Sequence, residues 1–288
     1  MNVLVTGATG YIGKALLPRL AKHKNLEIDA LYRNHGNPSI EAKNLHYFHV
    51  SQFEPSDKEY DVVIHLAAYL SAERDLEATT KLVESNILFG ATLLSSLRIK
   101  PNGLFVDTGT FAELHQGAKG DVNYLYTETK KSFEHIARFF STVNKVNYCK
   151  VYPYTVISKE RESKKLIDFL LSSISSKEFI AMTEGAQVLD FIDRDDVVSL
   201  YEKIVLNDDF ARFDGVQLEC CTGVGTSIRQ LADAIGSITG KQLNIEWGAK
   251  PYREADIMHA VGNPSTANDL LGWQAENNLN AILKSIVG

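Results

Sequence analysis

Cysteine is scarce in this chain of 288 residues, occurring only at Cys149, Cys220 and Cys221. An odd count with two neighbours adjacent gives no disulfide framework. It points to a reducing compartment and to three small buried hydrophobes. Long apolar runs are missing too, so no segment reads as a bilayer span. Positive charge is not in excess: the net charge is −6, which lacks the basic footprint of a nucleic-acid binder. At the amino end the apolar run is short and no basic segment precedes it, so a strand is expected there rather than a secretory leader. Hydrophobic residues make up 44% and charged residues 23%, a composition ordinary for a soluble globular protein. The cytoplasm is the expected compartment. The length suffices for a substantial core, as one domain with an appended lobe.

What the chain does have is a glycine-punctuated turn near its start. The apolar run Val3–Val5 leads into Thr6-Gly7-Ala8-Thr9-Gly10-Tyr11-Ile12-Gly13. A helical pattern follows over Tyr11–His23, with Ile12, Leu16, Leu17 and Leu20 on one face. A strand running into such a turn lets backbone N–H groups approach a pyrophosphate at the positive end of a helix. The spacing Gly7-x-x-Gly10-x-x-Gly13 differs from the commoner Gly-x-Gly-x-x-Gly. Its place between a first strand and an amphipathic helix is what makes it a dinucleotide signal.

Strand and helix patterns then alternate. Strands are predicted over Leu26–Tyr32, Leu45–Val50, Asp61–Leu66, Leu104–Asp107 and Val146–Tyr152. Helices are predicted over Leu76–Leu97, ended by Lys100-Pro101-Asn102-Gly103, and over Tyr124–Phe140. The rhythm implies a doubly wound α/β fold, a parallel sheet covered on both faces. After Pro153 it loosens. A charged connection (Lys159–Lys165) precedes an amphipathic helix (Leu166–Ser175), a short strand from Asp190 opens a helix at Asp195 or Asp196, and Val216–Cys220 reads as one more core strand. The tail segments Ser227–Thr239, Leu243–Trp247, Ser265–Leu271 and Asn278–Ile286 mix short elements. There is no internal repeat, low-complexity tract or long linker. The expected division is a dinucleotide-binding Rossmann domain from 1–157 plus about 190–223. A smaller C-terminal α/β substrate lobe takes about 158–189 plus 224–288.

Two further positions bear on chemistry. About 20 residues past the last glycine a NAD site usually carries a carboxylate for the ribose 2′-OH. Here the strand ends Leu31-Tyr32-Arg33-Asn34. Arg33 suits a 2′-phosphate, so NADP is favoured over NAD. An ordinary surface role for Arg33 stays open, as does Asp29 serving as the acid. Further on, Tyr126 and Lys130 stand four apart in a helical pattern, on one face. A tyrosine hydroxyl can pass a proton to a carbinol oxygen while hydride moves at the same carbon, and a neighbouring ammonium would lower the phenol pKa. A third group to polarise that oxygen is expected from Thr108 or Thr110, at the carboxyl end of a parallel strand. Either threonine could instead satisfy local backbone groups.

Together these residues resemble the extended short-chain dehydrogenase/reductase family, the group acting on nucleotide sugars. The matching segments are Thr6–Gly13, Asp61-Val62-Val63-Ile64-His65-Leu66-Ala67-Ala68, Asn86, Thr108-Gly109-Thr110, Tyr126-x-x-x-Lys130, and Asp190-Phe191-Ile192 with Asp195-Asp196-Val197. The resemblance implies a catalytic set of Thr110, Tyr126 and Lys130, with Lys130 also holding the nicotinamide ribose. It implies that Gly7, Thr9, Gly10, Tyr11, Ile12 and Gly13 cradle the cofactor and that Leu66-Ala67-Ala68 pass beside it. It gives Asn86 a structural role and implies a homodimer through the two long helices. Arg253, in Lys250-Pro251-Tyr252-Arg253-Glu254, is matched to an arginine on the nucleotide diphosphate, and Thr108 is placed at the substrate. The phrase Trp-Gly-Ala-Lys-Pro-Tyr-Arg-Glu is similar to the tail of 4-keto-6-deoxy-sugar reductases of the abequose and paratose type.

Three departures from the family pattern stand out. Thr155-Val156-Ile157 replaces Tyr-Gly-Pro, Leu189 replaces an arginine, and Ser51 follows Val50 where an aspartate is usual. Among the family's reactions dehydration is disfavoured, because Phe111-Ala112 follow Thr110 in place of an Asp-Glu pair. The expected activity is NADPH-dependent reduction of a 4-keto nucleotide sugar. The alternative is NAD-dependent 4-epimerisation. A non-catalytic NADP-binding regulator is the reading from another class, though such proteins commonly lose the tyrosine or the lysine that this chain keeps.

Overall fold

The computed structural model describes residues 1–33, 40–54, 58–118, 120, 123–160 and 166–287. Asn34 and residues 161–165 of the charged connection lie outside the described residues. Seven parallel strands form the main sheet in the order β10-β6-β5-β4-β1-β2-β3. They are β1 (Asn2–Thr6), β2 (Glu27–Tyr32), β3 (Leu45–His49), β4 (Glu59–His65), β5 (Arg98–Thr108), β6 (Asn147–Pro153) and β10 (Val216–Cys220). Strand order reverses between β1 and β4, the place where a crevice opens at the carboxyl ends of an open parallel sheet.

Alternation along the strands explains the two covered faces. Val3 and Val5 enter one core with Leu16 and Leu17 of α1 (Gly13–Leu20) and Val197 and Tyr201 of α6 (Arg194–Val205). Leu4 enters the other core with Leu93 of α3 (Phe89–Ser96) and Phe133 of α4 (Leu125–Asn144). Successive strand residues point to opposite faces, and both faces are buried, so the strands read as continuous apolar runs.

The helix expected over Leu76–Leu97 is interrupted. It runs as α2 (Leu76–Val83), a π-helical turn (Glu84–Leu88) and α3. The wider turn carries Asn86, which is buried and holds three groups. Its Oδ1 accepts from the Tyr69 N–H at 2.7 Å, and its Nδ2 donates to the Tyr69 carbonyl and to Thr129 Oγ1, each at 3.0 Å. Single π-turns of this kind are frequent at functional sites. Lys100-Pro101-Asn102-Gly103 does not end that helix. These residues lie within β5, where the pairing with β4 shifts register between Tyr60 and Val62 and Asn102 takes a φ of 64°. The extra residues bulge out of the ladder, as a left-handed residue allows.

A second body covers the crevice. Its small sheet has β9 (Val188–Asp193) beside β11 (Gly225–Ser227) and β13 (His259–Ala260), with β7 (Thr155–Ile157) also paired to β9. Two-residue strands β8 (Ile180–Ala181) and β12 (Ile245–Glu246) pair alongside. Its core draws on Leu170 of α5 (Leu166–Ser175), Leu231 and Ile235 of α7 (Ile228–Thr239) and Leu283 of α9 (Leu279–Val287). The chain crosses back at Asp193: β9 belongs to the small sheet, while α6 packs on α1. Helix α8 (Ser265–Leu271) and Trp273 return to the larger core, where Trp273 Nε1 donates to Ser199 Oγ at 2.8 Å. Cys149, Cys220 and Cys221 are free and buried. Among the described residues no helix is long and apolar enough to cross a membrane.

Candidate active site

The turn after β1 is the first wall of a cleft of about 840 Å³. Gly7, Gly10, Tyr11, Ile12 and Gly13 all line it. Gly7 adopts φ +70°, and a Cβ there would sit 2.8 Å from the Ala67 nitrogen. A Cβ on Gly13 would sit 2.3 Å from the Gly7 carbonyl oxygen. Only glycine permits both the left-handed turn and the close approach of loop to helix. Ile12, the N-cap of α1, provides no side-chain cap, so the positive end of the helix faces the cleft. An uncapped helix start behind a turn opened by three glycines fits an anionic dinucleotide phosphate.

Residues following three other strands join this wall. Leu66 and Ala68 follow β4, Thr108 to Ala112 run on from the end of β5, and Pro153 to Ser158 run from the end of β6 through β7. Tyr124 and Tyr126 enter from the start of α4. The opposite wall belongs to the second body, with Leu166, Ile167, Gln187, Leu189, Phe191 and Ile257. Thr110 and Tyr126 therefore share one cleft with the glycine turn. Thr9, Arg33, Ala67, Lys130 and Arg253 do not line it.

The two threonines differ in what their hydroxyls do. Thr108 Oγ1 pairs with the buried Tyr201 hydroxyl at 2.6 Å. Thr110 Oγ1 acts as an acceptor, taking a long 3.4 Å bond from the Ala112 N–H and capping the following turn in a reciprocal box with Glu113. Its own proton stays available to a carbonyl oxygen. The open choice between the threonines thus has a local physical basis, since Thr108 is committed to the core.

Lys130 is buried one helical turn behind Tyr126, with its Nζ 3.7 Å from Asp107 Oδ1. The expectation that it lowers the Tyr126 phenol is corrected. The Tyr126 phenol is raised, first by burial and then by the carboxylates of Glu113 and Asp107. Lys130 faces Asp107, and burial is the leading cause of the rise. Tyr126 consequently holds its proton at neutral pH.

Arg33 follows β2 directly and donates from its Nη1 to Ser85 Oγ at 2.6 Å. Asp29 lies in mid-strand, buried, and accepts from the Tyr60 hydroxyl at 2.6 Å and Lys58 Nζ at 2.7 Å. It is thus committed away from the strand end where a ribose would be read. At the cleft rim, the Arg253 N–H donates to Asp256 Oδ2 at 2.9 Å, and the Tyr124 hydroxyl donates to Asp256 Oδ1 at 2.8 Å. Burial and Asp256 push the Tyr124 phenol up, while Arg253 opposes them. Ala67 N–H donates to Thr6 Oγ1, which also meets Nδ1 of the buried His65 at 3.0 Å.

Several polar residues of the site escaped sequence reading. Lys150, in the middle of β6, is fully buried against Glu113, Glu134 and Asp107. Tyr154 stacks on Phe111 at 5.5 Å between ring centres and pairs with His115 Nε2 at 3.1 Å. Two signals were present for the first group. Thr110-x-x-Glu113 has capping-box spacing, and Asp107 and Lys150 interrupt strands that are otherwise apolar. Among the described residues no group of three His, Cys, Asp or Glu side chains could hold a metal ion.

Residues 3–213 match the NAD dependent epimerase/dehydratase family. The chain is 25% identical over 292 residues to a CDP-abequose synthase of Salmonella muenchen, covering 99% of this chain and 97% of that one. It is 24% identical over 286 residues to a GDP-6-deoxy-D-talose 4-dehydrogenase of Aggregatibacter actinomycetemcomitans, covering 94% and 92%. Among solved structures, a UDP-glucuronic acid 4-epimerase from Bacillus cereus, in complex with UDP-glucuronic acid and NAD, superposes with a TM-score of 0.85. Its identity is 19%, with 100% of this chain and 98% of that one covered.

Proposed function

Because the chain belongs to the NAD dependent epimerase/dehydratase family, we propose that it reduces the 4-keto group of a nucleotide-linked sugar, with NADPH as reductant. The observation that carries this reading is that Thr110 and Tyr126, both bearing hydroxyls, line one cleft with the glycine turn. The nicotinamide cofactor, when bound, supplies the hydride. Gly7 to Gly13 and the start of α1 receive its phosphates. Thr110 donates a hydrogen bond to the carbonyl oxygen, and Tyr126 gives that oxygen its proton as negative charge develops there. A phenol kept protonated by burial suits a donor, the role reduction demands. Lys130 stands behind Tyr126 as the partner for the ribose.

NADPH is favoured by what stands at the end of β2. Arg33 is there, and the one nearby carboxylate, Asp29, is spoken for by Tyr60 and Lys58. The far wall of the cleft is mostly apolar, with Leu166, Ile167, Leu189, Phe191 and Ile257 beside the polar Asp168 and Gln187, which suits a 6-deoxy sugar better than a fully hydroxylated one. The relatives named CDP-abequose synthase and GDP-6-deoxy-D-talose 4-dehydrogenase support the same substrate class. Arg253, whose N–H donates to Asp256, would meet the nucleotide diphosphate from outside the cleft lining. Residues 1–157 with about 190–223 would bind the cofactor, apart from β7 and β9 in the small sheet, and about 158–189 with 224–288 the sugar nucleotide, apart from α8 and Trp273 in the larger core. Exposed Leu76, Val83 and Leu88 on one helical run and Phe139 and Val143 on α4 support a homodimer through these helices.

The test is the purified protein with NADPH and a panel of 4-keto nucleotide sugars. Loss of NADPH absorbance, one cofactor per sugar reduced, is expected. Binding without turnover would favour a regulator. Tightly held NAD recovered from the pure protein, with sugar epimerised and no net cofactor consumed, would overturn the reduction in favour of 4-epimerisation.

A further inference from the structure

Lys150 is an unusual residue for its place. It sits at the centre of β6, a strand flanked on both sides in a parallel sheet, with no exposed surface. An ammonium there loses its hydration and is tolerated only when closely paired. Its Nζ donates to Glu113 Oε2 at 2.5 Å and Glu134 Oε2 at 2.7 Å, and lies 3.7 Å from Asp107 Oδ2.

Each of these three carboxylates leads to a different part of the site. Glu113 Oε1 accepts from the Thr110 N–H at 2.9 Å, so this side chain fixes the turn that presents the Thr110 hydroxyl. Glu134 lies on α4, the helix that carries Tyr126 and Lys130. Asp107 ends the apolar run of β5 and faces Lys130 with its other oxygen. The Tyr148 hydroxyl donates to Asp107 at 3.0 Å, and Arg138 pairs with Glu134 at 2.8 Å. Gly109 makes room for the arrangement: a Cβ there would stand 2.6 Å from Glu113 Oε1 and 2.7 Å from Lys150 Cε.

We propose that Lys150 is a positioning residue: acting through Glu113, Glu134 and Asp107, it holds the Thr110 turn in register with Tyr126 and Lys130. The proposal rests on the reading of Thr110, Tyr126 and Lys130 as the reacting groups. Nothing in it requires Lys150 to touch substrate or cofactor, and it does not line the cleft. Its charge also offsets Glu113 and Asp107, the two carboxylates that act on the Tyr126 phenol.

Three variants of the full chain test this: Lys150→Met, Lys150→Arg and Glu113→Ala. Lys150→Met leaves buried carboxylates uncompensated and is the one at risk of misfolding. Glu113→Ala cuts the link to Thr110 while Glu134 and Asp107 remain to face Lys150, and keeps the question answerable. In Glu113→Ala, kcat for keto-sugar reduction is expected to fall by about 10²-fold, the cost of a reacting group displaced by an ångström. KM and NADPH affinity should change little. Lys150→Met should behave alike, with partial rescue in Lys150→Arg, since the guanidinium restores the charge. Hydrogen exchange at the Thr110 amide should speed up in Glu113→Ala and Lys150→Met, with β1 amides unchanged. Full kcat in Glu113→Ala, or equal losses of kcat, cofactor affinity and global protection in all variants, would overturn the proposal. If the wild type reduces no 4-keto nucleotide sugar, the functional reading fails on its own. The Thr110 amide then decides: faster exchange in Glu113→Ala supports the tether, and unchanged exchange sinks it.

Discussion

The two walls of the cleft are built by different means. The cofactor wall is built on backbone: a glycine turn, the start of α1 and the carboxyl ends of β1, β4 and β5, with the Thr110 and Tyr126 side chains added to it. The far wall is side chain, contributed by α5, β9 and the segment around Ile257. These segments lie far apart in sequence and meet only through the small sheet. A backbone site tolerates change in most side chains but none in its glycines. A side-chain site can change its ligand by changing residues one at a time. A fold with such walls keeps its cofactor chemistry while its substrate varies.

The largest effect expected within the cofactor wall is at Tyr126. Tyr126→Phe removes the proton donor and should lower kcat by about 10²- to 10⁴-fold, with NADPH affinity near normal by fluorescence titration. Unchanged turnover would remove the proton-donor assignment. Next is Gly13→Ala, which places a methyl 2.3 Å from the Gly7 oxygen. It should weaken cofactor binding by at least about tenfold, or ~1.4 kcal/mol, whatever the sugar. A normal cofactor affinity would show that the turn has room the geometry denies.

Two arginines then set the walls against each other. Arg33→Ala should weaken NADPH more than NADH, by the loss of a charge-assisted contact worth about 1.5–3 kcal/mol. Arg253→Ala should raise KM for the sugar nucleotide and leave cofactor affinity alone. Equal effects of Arg33→Ala on both cofactors would withdraw the preference for NADPH. An effect of Arg253→Ala on the cofactor alone would blur the division between walls.

The last effect is on stability and is confined to acid pH. Burial, with Lys130 adding to it against Asp107, holds the His65 imidazole down to about 3. A histidine with a depressed folded value contributes stability above its unfolded pKa, and that contribution drains away as pH falls from the usual value near 6.5 towards 3. The slope approaches about 1.4 kcal/mol per pH unit. Urea unfolding of His65→Asn should show a shallower acid limb than the wild type. Parallel limbs would mean another buried group sets the acid sensitivity.

Much of this was legible because of what parallel sheets demand. Apolar runs buried on both faces located β1, β2, β4 and β6 within a residue or two, and Leu166–Ser175 was read to its ends. The long helix was misread in its middle. Its break is set by Asn86 reaching Tyr69 and Thr129, contacts that no periodicity encodes. Lys100-Pro101-Asn102-Gly103 carried a turn signal and became a bulge inside β5, because pairing with β4 outweighed local preference. The Tyr126 phenol was expected to fall and instead rises. The four-residue spacing gave Lys130 as a neighbour but gave no hint of Asp107 and Glu113.

The sequence by itself determined the order of elements, the glycine turn and the helical spacing of Tyr126 and Lys130. All of these are local, fixed by backbone sterics and by side-chain period. Tertiary structure alone decided which threonine keeps a free hydroxyl, where Asp29 spends its charge, and that three carboxylates converge on Lys150. Each of those outcomes depends on groups brought together from distant parts of the chain, where burial multiplies the strength of every charge and neighbours, not spacing, set the sign.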